Sequence, residues 1–221
     1  MPSKSRLRHL RLTEDEASLI LFQQSGVADL ASSVALWRDQ RKNFPGSLIV
    51  EFCCGRGDFL AAAARIHPLD TFLGVDWSPQ VAERAARCLA KNGVANGFIL
   101  QAEISVAAEH LLEAGSVDVI FLNFPDPWPK NRHAGRRVLQ ETVARKLLQL
   151  LKPGGSLFTA TDIAALHREH QKVLDETIGF HRMGWPTDKV PHPFYETPSA
   201  YQKKGEALAR PVWYTHHQKI I

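Results

Sequence analysis

The sequence predicts an α/β fold in which a mostly parallel central sheet carries helices on both faces. Three observations predict it. Short β-rich apolar runs alternate with helical stretches from residue 47 to residue 179, a glycine turn follows the first of those runs, and no internal repeat or low-complexity tract breaks the rhythm. The chain has 221 residues, enough for one domain with a sizeable core. The expected division is a basic segment with a first helix over 1–36 and the α/β domain over 37–221.

Residues 1–12 are basic and expected to be mobile. TEDEASLILFQQSG reads as a helix, with Thr13 and Glu16 in capping-box spacing and Gly26 as its end. A second helix is expected over 27–41. SLIVEFCC is the first strand of the alternating region, GRGDF a turn and FLAAAARIH a helix. TFLGVDW is a strand, and SPQVAERAARCLAKNG a helix with Ser78 as N-cap, Pro79 at its first position and Gly93 as its stop. GFILQAE and VDVIFLNF are strands flanking the helical SVAAEHLLEAG. Next come the helix VLQETVARKLLQLL, a KPGG turn, the strand SLFTATD and the helix IAALHREHQKVLDETIG. A tail from 181, rich in Pro, Tyr and Trp, ends in the strand-like RPVWYTHH.

The formal charge is +4 and the pI about 9.1, which suits a polyanionic partner. No apolar run approaches the roughly 20 residues of a membrane span. The N-terminus lacks the apolar core of a secretory signal. Cys53 and Cys54 are adjacent and Cys88 stands alone, so free thiols in a reducing cytoplasm are expected, and the ten His show no metal-ligand spacing with them.

Ligands of an open parallel sheet bind outside the carboxyl ends of its strands, where strand order reverses. VEFCCGRGDF lies at such an end. Gly55 and Gly57 are expected to let the backbone approach a ligand where a Cβ would clash. Asp76, closing the next strand, can accept both ribose hydroxyls of a nucleoside. A dinucleotide site would want G-x-G-x-x-G, which is missing. After the fourth strand of the alternating region, NFPDPWPKNRHAGRR packs three prolines, one tryptophan, one carboxylate and five basic or imidazole side chains into fifteen residues. Pro125, Pro127 and Pro129 fix φ and remove backbone donors, so Asp126 is carried by a stiff backbone. Trp128 can pack beneath the loop or stack on a base, and Lys130, Arg132, Arg136 and Arg137 can meet phosphate.

The E-x-x-x-G-x-G turn from Glu51 resembles the S-adenosylmethionine turn of class I methyltransferases, a Rossmann-like fold. P-D-P-W-x-K-x-R-H-x-x-R-R resembles the signature of the tRNA (guanine-N7-)-methyltransferase family, and that resemblance spans residues 37–215. It implies S-adenosylmethionine as methyl donor and tRNA as partner, with N7 of a guanine, position 46 in the variable loop, as the target. It places Glu51 at the donor's amino-acid end and Glu103 near the adenine. Asp126 falls on the donor-binding and catalytic Asp, Lys130 on a substrate-binding Lys and Asp162 on a substrate-binding Asp. The stretch Ser199–Gln202 aligns with a T-x-[YF]-E substrate segment. Three positions depart from the family pattern. Cys53 replaces a Gly, so the turn must avoid positive φ or bear strain. Ser199 replaces Thr and Gln202 replaces Glu. A methyltransferase with another substrate and an inactive tRNA-binding relative are the competing readings. Monomer and homodimer both remain open.

Overall fold

The computed structural model describes residues 20–23, 30–184 and 211–220. Residues 1–12, the Thr13–Glu16 capping pair, Ser199 and Gln202 lie outside them.

The described elements are β1 (Ile20–Gln23), α1 (Leu30–Arg41), β2 (Leu48–Phe52), α2 (Asp58–Ile66), β3 (Thr71–Asp76), α3 (Pro79–Lys91), β4 (Gly97–Gln101), β5 (Val117–Asn123), α4 (Glu141–Leu150), β6 (Leu151–Thr161), α5 (Ala164–Glu176), β7 (Phe180–Arg182) and β8 (Trp213–Lys219). Among the described residues the sheet has eight strands, in the order β1-β4-β3-β2-β5-β6-β8-β7. The first six run parallel, and β8 is antiparallel to both β6 and β7. Strand order reverses between β2 and β5, so their carboxyl ends open the crevice where ligands bind in such sheets.

β2 and β4 are buried along their whole length, as parallel strands covered on both faces must be. Alternation splits the core. Val50, Phe52, Val75, Ile120 and Leu122 pack on one face with Trp37, Val143, Leu147 and Leu174. Ile49, Phe72, Ile99, Phe121 and Phe158 pack on the other with Phe59, Leu60, Ala85 and Leu89. α3 starts at Pro79 as expected, although the Ser78 hydroxyl bonds Gln80 and makes no cap. It stops at Gly93 (φ 65), where Gly93 N donates to Ala90 O and Val94 N to Leu89 O, the paired bonds of a Schellman turn.

Several expectations are corrected. Within the helix expected over TEDEASLILFQQSG, residues 20–23 form β1, which pairs parallel with β4 through Ile20↔Ile99 and Gln23↔Gln101. A short apolar run carries no decisive period, and here it pairs the exposed edge of β4. The helix expected over 105–115 is a turn at Ile104–Val106 that widens into a π-turn at Ala107–Leu111, closed by Leu112 N donating to Ala107 O. The wider turn lets Leu111 and Leu112 both reach the core. KPGG is a bulge inside β6: Val117 pairs Leu151, yet Val119 pairs Ser156. β7 was not expected, and the boundary expected between 36 and 37 falls inside α1.

Candidate active site

At the carboxyl end of β2, Glu51 is 2% exposed. It faces the α2–α3 side of the sheet, as does Asn123, the last residue of β5. Asn123 Nδ2 donates to Glu51 Oε1 at 3.0 Å. Glu51 Oε2 is buried and has no hydrogen-bond partner among the described residues. Burial pushes the Glu51 carboxyl up to about 8; the Asn123 bond opposes the rise, while the charges of Asp58 and Asp76 reinforce it.

The turn after β2 coils through three left-handed residues, Cys53 (φ 58), Gly55 (φ 56) and Gly57 (φ 74). Cys53 therefore takes the strained alternative. Burial pushes its thiol up to about 12, helped by Asp76, Asp126 and Glu51, so it stays neutral. Asp76 ties the turn to β3: Gly55 N donates to Oδ2 at 3.2 Å and Ser78 N to Oδ1 at 3.1 Å. Burial raises the Asp76 carboxyl, against the pull of these bonds.

Asn123 leads into the proline-rich loop. Phe124 N still donates to Ala160 O at 2.8 Å, and Phe124 (φ 48) and Trp128 (φ 40) then turn the backbone sharply. Residues Asn131–Arg136 form a 3₁₀ turn. The Arg136 guanidinium lies 4.9 Å from the centre of the Trp128 ring, and His133 meets that ring edge-on at 5.7 Å.

A cavity of about 780 Å³ opens between these pieces, lined by Glu51, Gly55, Asp76, Glu103, Asp126 and Arg136, with Trp77 and Trp128 also in its wall. Six of the expected site residues therefore converge. Glu103 is exposed at the rim, just before the Ile104–Val106 turn, and Asp126 is exposed on the opposite lip. Gly57 is not in the wall: its need for glycine is the positive φ and the approach to Ala85, 3.2 Å from where a Cβ would stand. Lys130 and Arg132 are exposed on the loop outside the cavity. Asp162, half-buried just beyond β6, lies outside the wall as well. Arg137, expected at phosphate, turns inward instead. It pairs with Glu169 and donates to Pro127 O and Trp128 O, in a stretch whose prolines offer no backbone N–H of their own. Sequence reasoning gave no role to Asn123, though its place two residues beyond Phe121, the cross-strand partner of Glu51, sets it on the same face.

A family model described as "Putative methyltransferase" matches residues 45–215. The tRNA (guanine-N(7)-)-methyltransferase of Anaeromyxobacter dehalogenans is 33% identical over 177 residues, covering 80% of this chain and 88% of that relative. The chain belongs to the tRNA (guanine-N(7)-)-methyltransferase family. The Hydrogenovibrio crunogenus relative of the same name is 28% identical over 75% of this chain and 69% of its own length. The one from Thermus thermophilus is 40% identical over 53% of this chain and 38% of its own. Among solved structures, the 16S rRNA methyltransferase KamB covers 85% of this chain and 94% of itself with a TM-score of 0.59 at 15% identity. At that identity it shows the fold alone, which is the Rossmann-like class I methyltransferase fold. For a member of this family, the acids of the β2–β3 side and the loop acid Asp126 face one another across a single cavity.

Proposed function

We propose that this chain transfers a methyl group from S-adenosylmethionine to N7 of a guanine in tRNA, at position 46 of the variable loop, and does so in the cytoplasm. The observation that carries the reading is the buried Oε2 of Glu51, without a hydrogen-bond partner among the described residues, in the wall of the cavity that Asp126 overlooks. A buried carboxylate oxygen without a partner is costly unless a ligand supplies one, and the donor's ammonium is such a partner. Asp76 holds the ribose hydroxyls, Gly55 leaves room beside its backbone, and Glu103 stands at the adenine end. The group they hold supplies a methyl on a sulfonium, an electrophile that needs no activation.

Guanine N7 presents an in-plane lone pair, so no proton has to leave before transfer. What remains for the protein is alignment and exclusion of water, worth roughly 7–11 kcal/mol when the geometry is good. Asp126 orients the guanine edge and offsets the positive charge that develops on the ring. Asp162 and the Ser199–Gln202 stretch complete the guanine pocket, Gln202 by hydrogen bonding alone. Lys130, Arg132 and Arg136 contact phosphate, which positions the RNA without reading its sequence. A base buried in folded tRNA is first displaced, at a cost of a few kcal/mol. Free thiols at Cys53, Cys54 and Cys88 support a reducing compartment.

The test is methylation of bulk tRNA with labelled donor, followed by nucleoside analysis and mapping. N7-methylguanosine at position 46 is expected. Asp126→Ala should lower turnover at least about 100-fold with an unchanged melting curve. A different methylated nucleoside, or near-normal turnover in the variant, removes the assignment or the residue respectively.

A further inference from the structure

Arg137 is 17% exposed, and three of its nitrogens are engaged inside the protein. Nε donates to Pro127 O at 3.2 Å and Nη2 to Trp128 O at 3.2 Å, while Nη1 pairs with the Glu169 carboxylate of α5. Those two carbonyls belong to the residues directly after Asp126. Pro125, Pro127 and Pro129 have no N–H to offer, so this stretch lacks the donors with which a loop ordinarily braces itself. The left-handed backbone at Phe124 and Trp128 persists only where its surroundings over-determine it. Neither Arg137 nor Glu169 is in the cavity wall.

We propose that Glu169 and Arg137 act together as a positioning device for Asp126: Glu169 fixes the guanidinium, and its remaining donors hold the backbone that sets where Asp126 stands. The inference rests on the reading of Asp126 as the acid that meets the guanine. An arginine is required, because its planar fork serves a carboxylate and two carbonyls at once, whereas a lysine ammonium is a single point of attachment. Glu169 lies in no motif of the loop and is reached only through the fold, 32 residues further along the chain.

The experiment compares Glu169→Gln, Glu169→Ala, Arg137→Lys, Arg137→Ala and the double variant Arg137→Ala/Glu169→Ala with the wild-type chain. Amide hydrogen exchange is read over residues 124–137 of the free protein. Steady-state turnover and KM are read on tRNA. Expected are faster exchange in the loop with the sheet unchanged, turnover reduced roughly 10- to 100-fold, little change in KM for tRNA, no rescue by Arg137→Lys, and a double variant no worse than the worse single one. Should Arg137→Ala/Glu169→Ala not fold, Glu169→Gln keeps the shape and removes only the charge, and it carries the comparison. Unchanged loop exchange in Glu169→Gln and Glu169→Ala overturns the proposal. So does an Arg137→Ala phenotype confined to weaker tRNA binding with a salt slope lower by about 1, which would make Arg137 a phosphate contact. If the wild-type chain leaves guanine N7 unmodified, the functional reading fails, and loop exchange alone then decides the device.

Discussion

Cys53 stands at φ 58 in the turn after β2, where glycine was the residue expected. A left-handed non-glycine residue costs about 1–2 kcal/mol. Glycine there would give back about 0.5–1 kcal/mol in unfolded-chain entropy and lose the packing of a partly buried side chain. These effects nearly cancel, which accounts for a cysteine at this position. Cys53→Gly should therefore change stability by less than about 1 kcal/mol in a denaturant melt and keep donor binding. A larger gain would mean that the strain is not offset. Glu51 carries a heavier cost. Its folded value of about 8 lies above its ordinary 4.5, so the empty folded protein binds a proton that the unfolded chain has released between those values. The contribution is fully present below about pH 4.5 and is lost as pH rises through 8. Glu51→Gln should melt progressively higher than wild type as pH is raised from 5 to 9, while losing affinity for S-adenosylmethionine. A gap that does not grow with pH would show that the carboxyl is not held protonated.

Elements differ in how much of them a sequence can show. The strand–helix alternation, the Gly93 stop and the glycine turn were legible because each has a local cause: a burial period, a left-handed C-terminal cap and a backbone that needs positive φ. β1, the π-turn and the bulge at Lys152–Gly155 were not, since each depends on what the sheet edge or the core requires. The same divide runs through the site. Glu51, Asp76 and Asp126 could be named from motif and strand end, whereas Asn123 and the inward turn of Arg137 follow from register and from α5. That helix carries its own pH dependence. His170 is 1% exposed, its Nδ1 has no hydrogen-bond partner among the described residues, and burial, reinforced by His167 and Arg137, lowers it from 6.5 to about 4. A depressed histidine stabilises fully above about pH 6.5 and loses that contribution as pH falls through 4, up to roughly 3 kcal/mol. His170→Leu should lose less stability than wild type between pH 7 and 4.5 in urea melts. Parallel pH profiles would place the acid sensitivity elsewhere.

Across the whole molecule, opposite charges are sorted by place. The chain is formally +4, yet the cavity wall holds five acids, Glu51, Asp58, Asp76, Glu103 and Asp126, against two bases, Arg56 and Arg136. Positive charge concentrates on the loop at its lip, where Lys130 and Arg132 are exposed and Arg136 lies over Trp128. An acidic interior suits a small cationic donor and a basic lip suits a polyanion, so the two ligands should respond differently to salt. Each phosphate neutralised by a side chain contributes roughly 0.7–0.9 to the log–log slope of affinity against salt. Lys130→Ala combined with Arg132→Ala should lower that slope for tRNA by up to about 2 and leave S-adenosylmethionine affinity unchanged, whereas Arg137→Ala should leave the slope as it was. Titrations of both ligands across a salt series check this. An unchanged slope in the Lys130 and Arg132 variant, or a fall in donor affinity with it, would mean that the loop's charge serves the protein's own structure, and the RNA would then have to be held elsewhere.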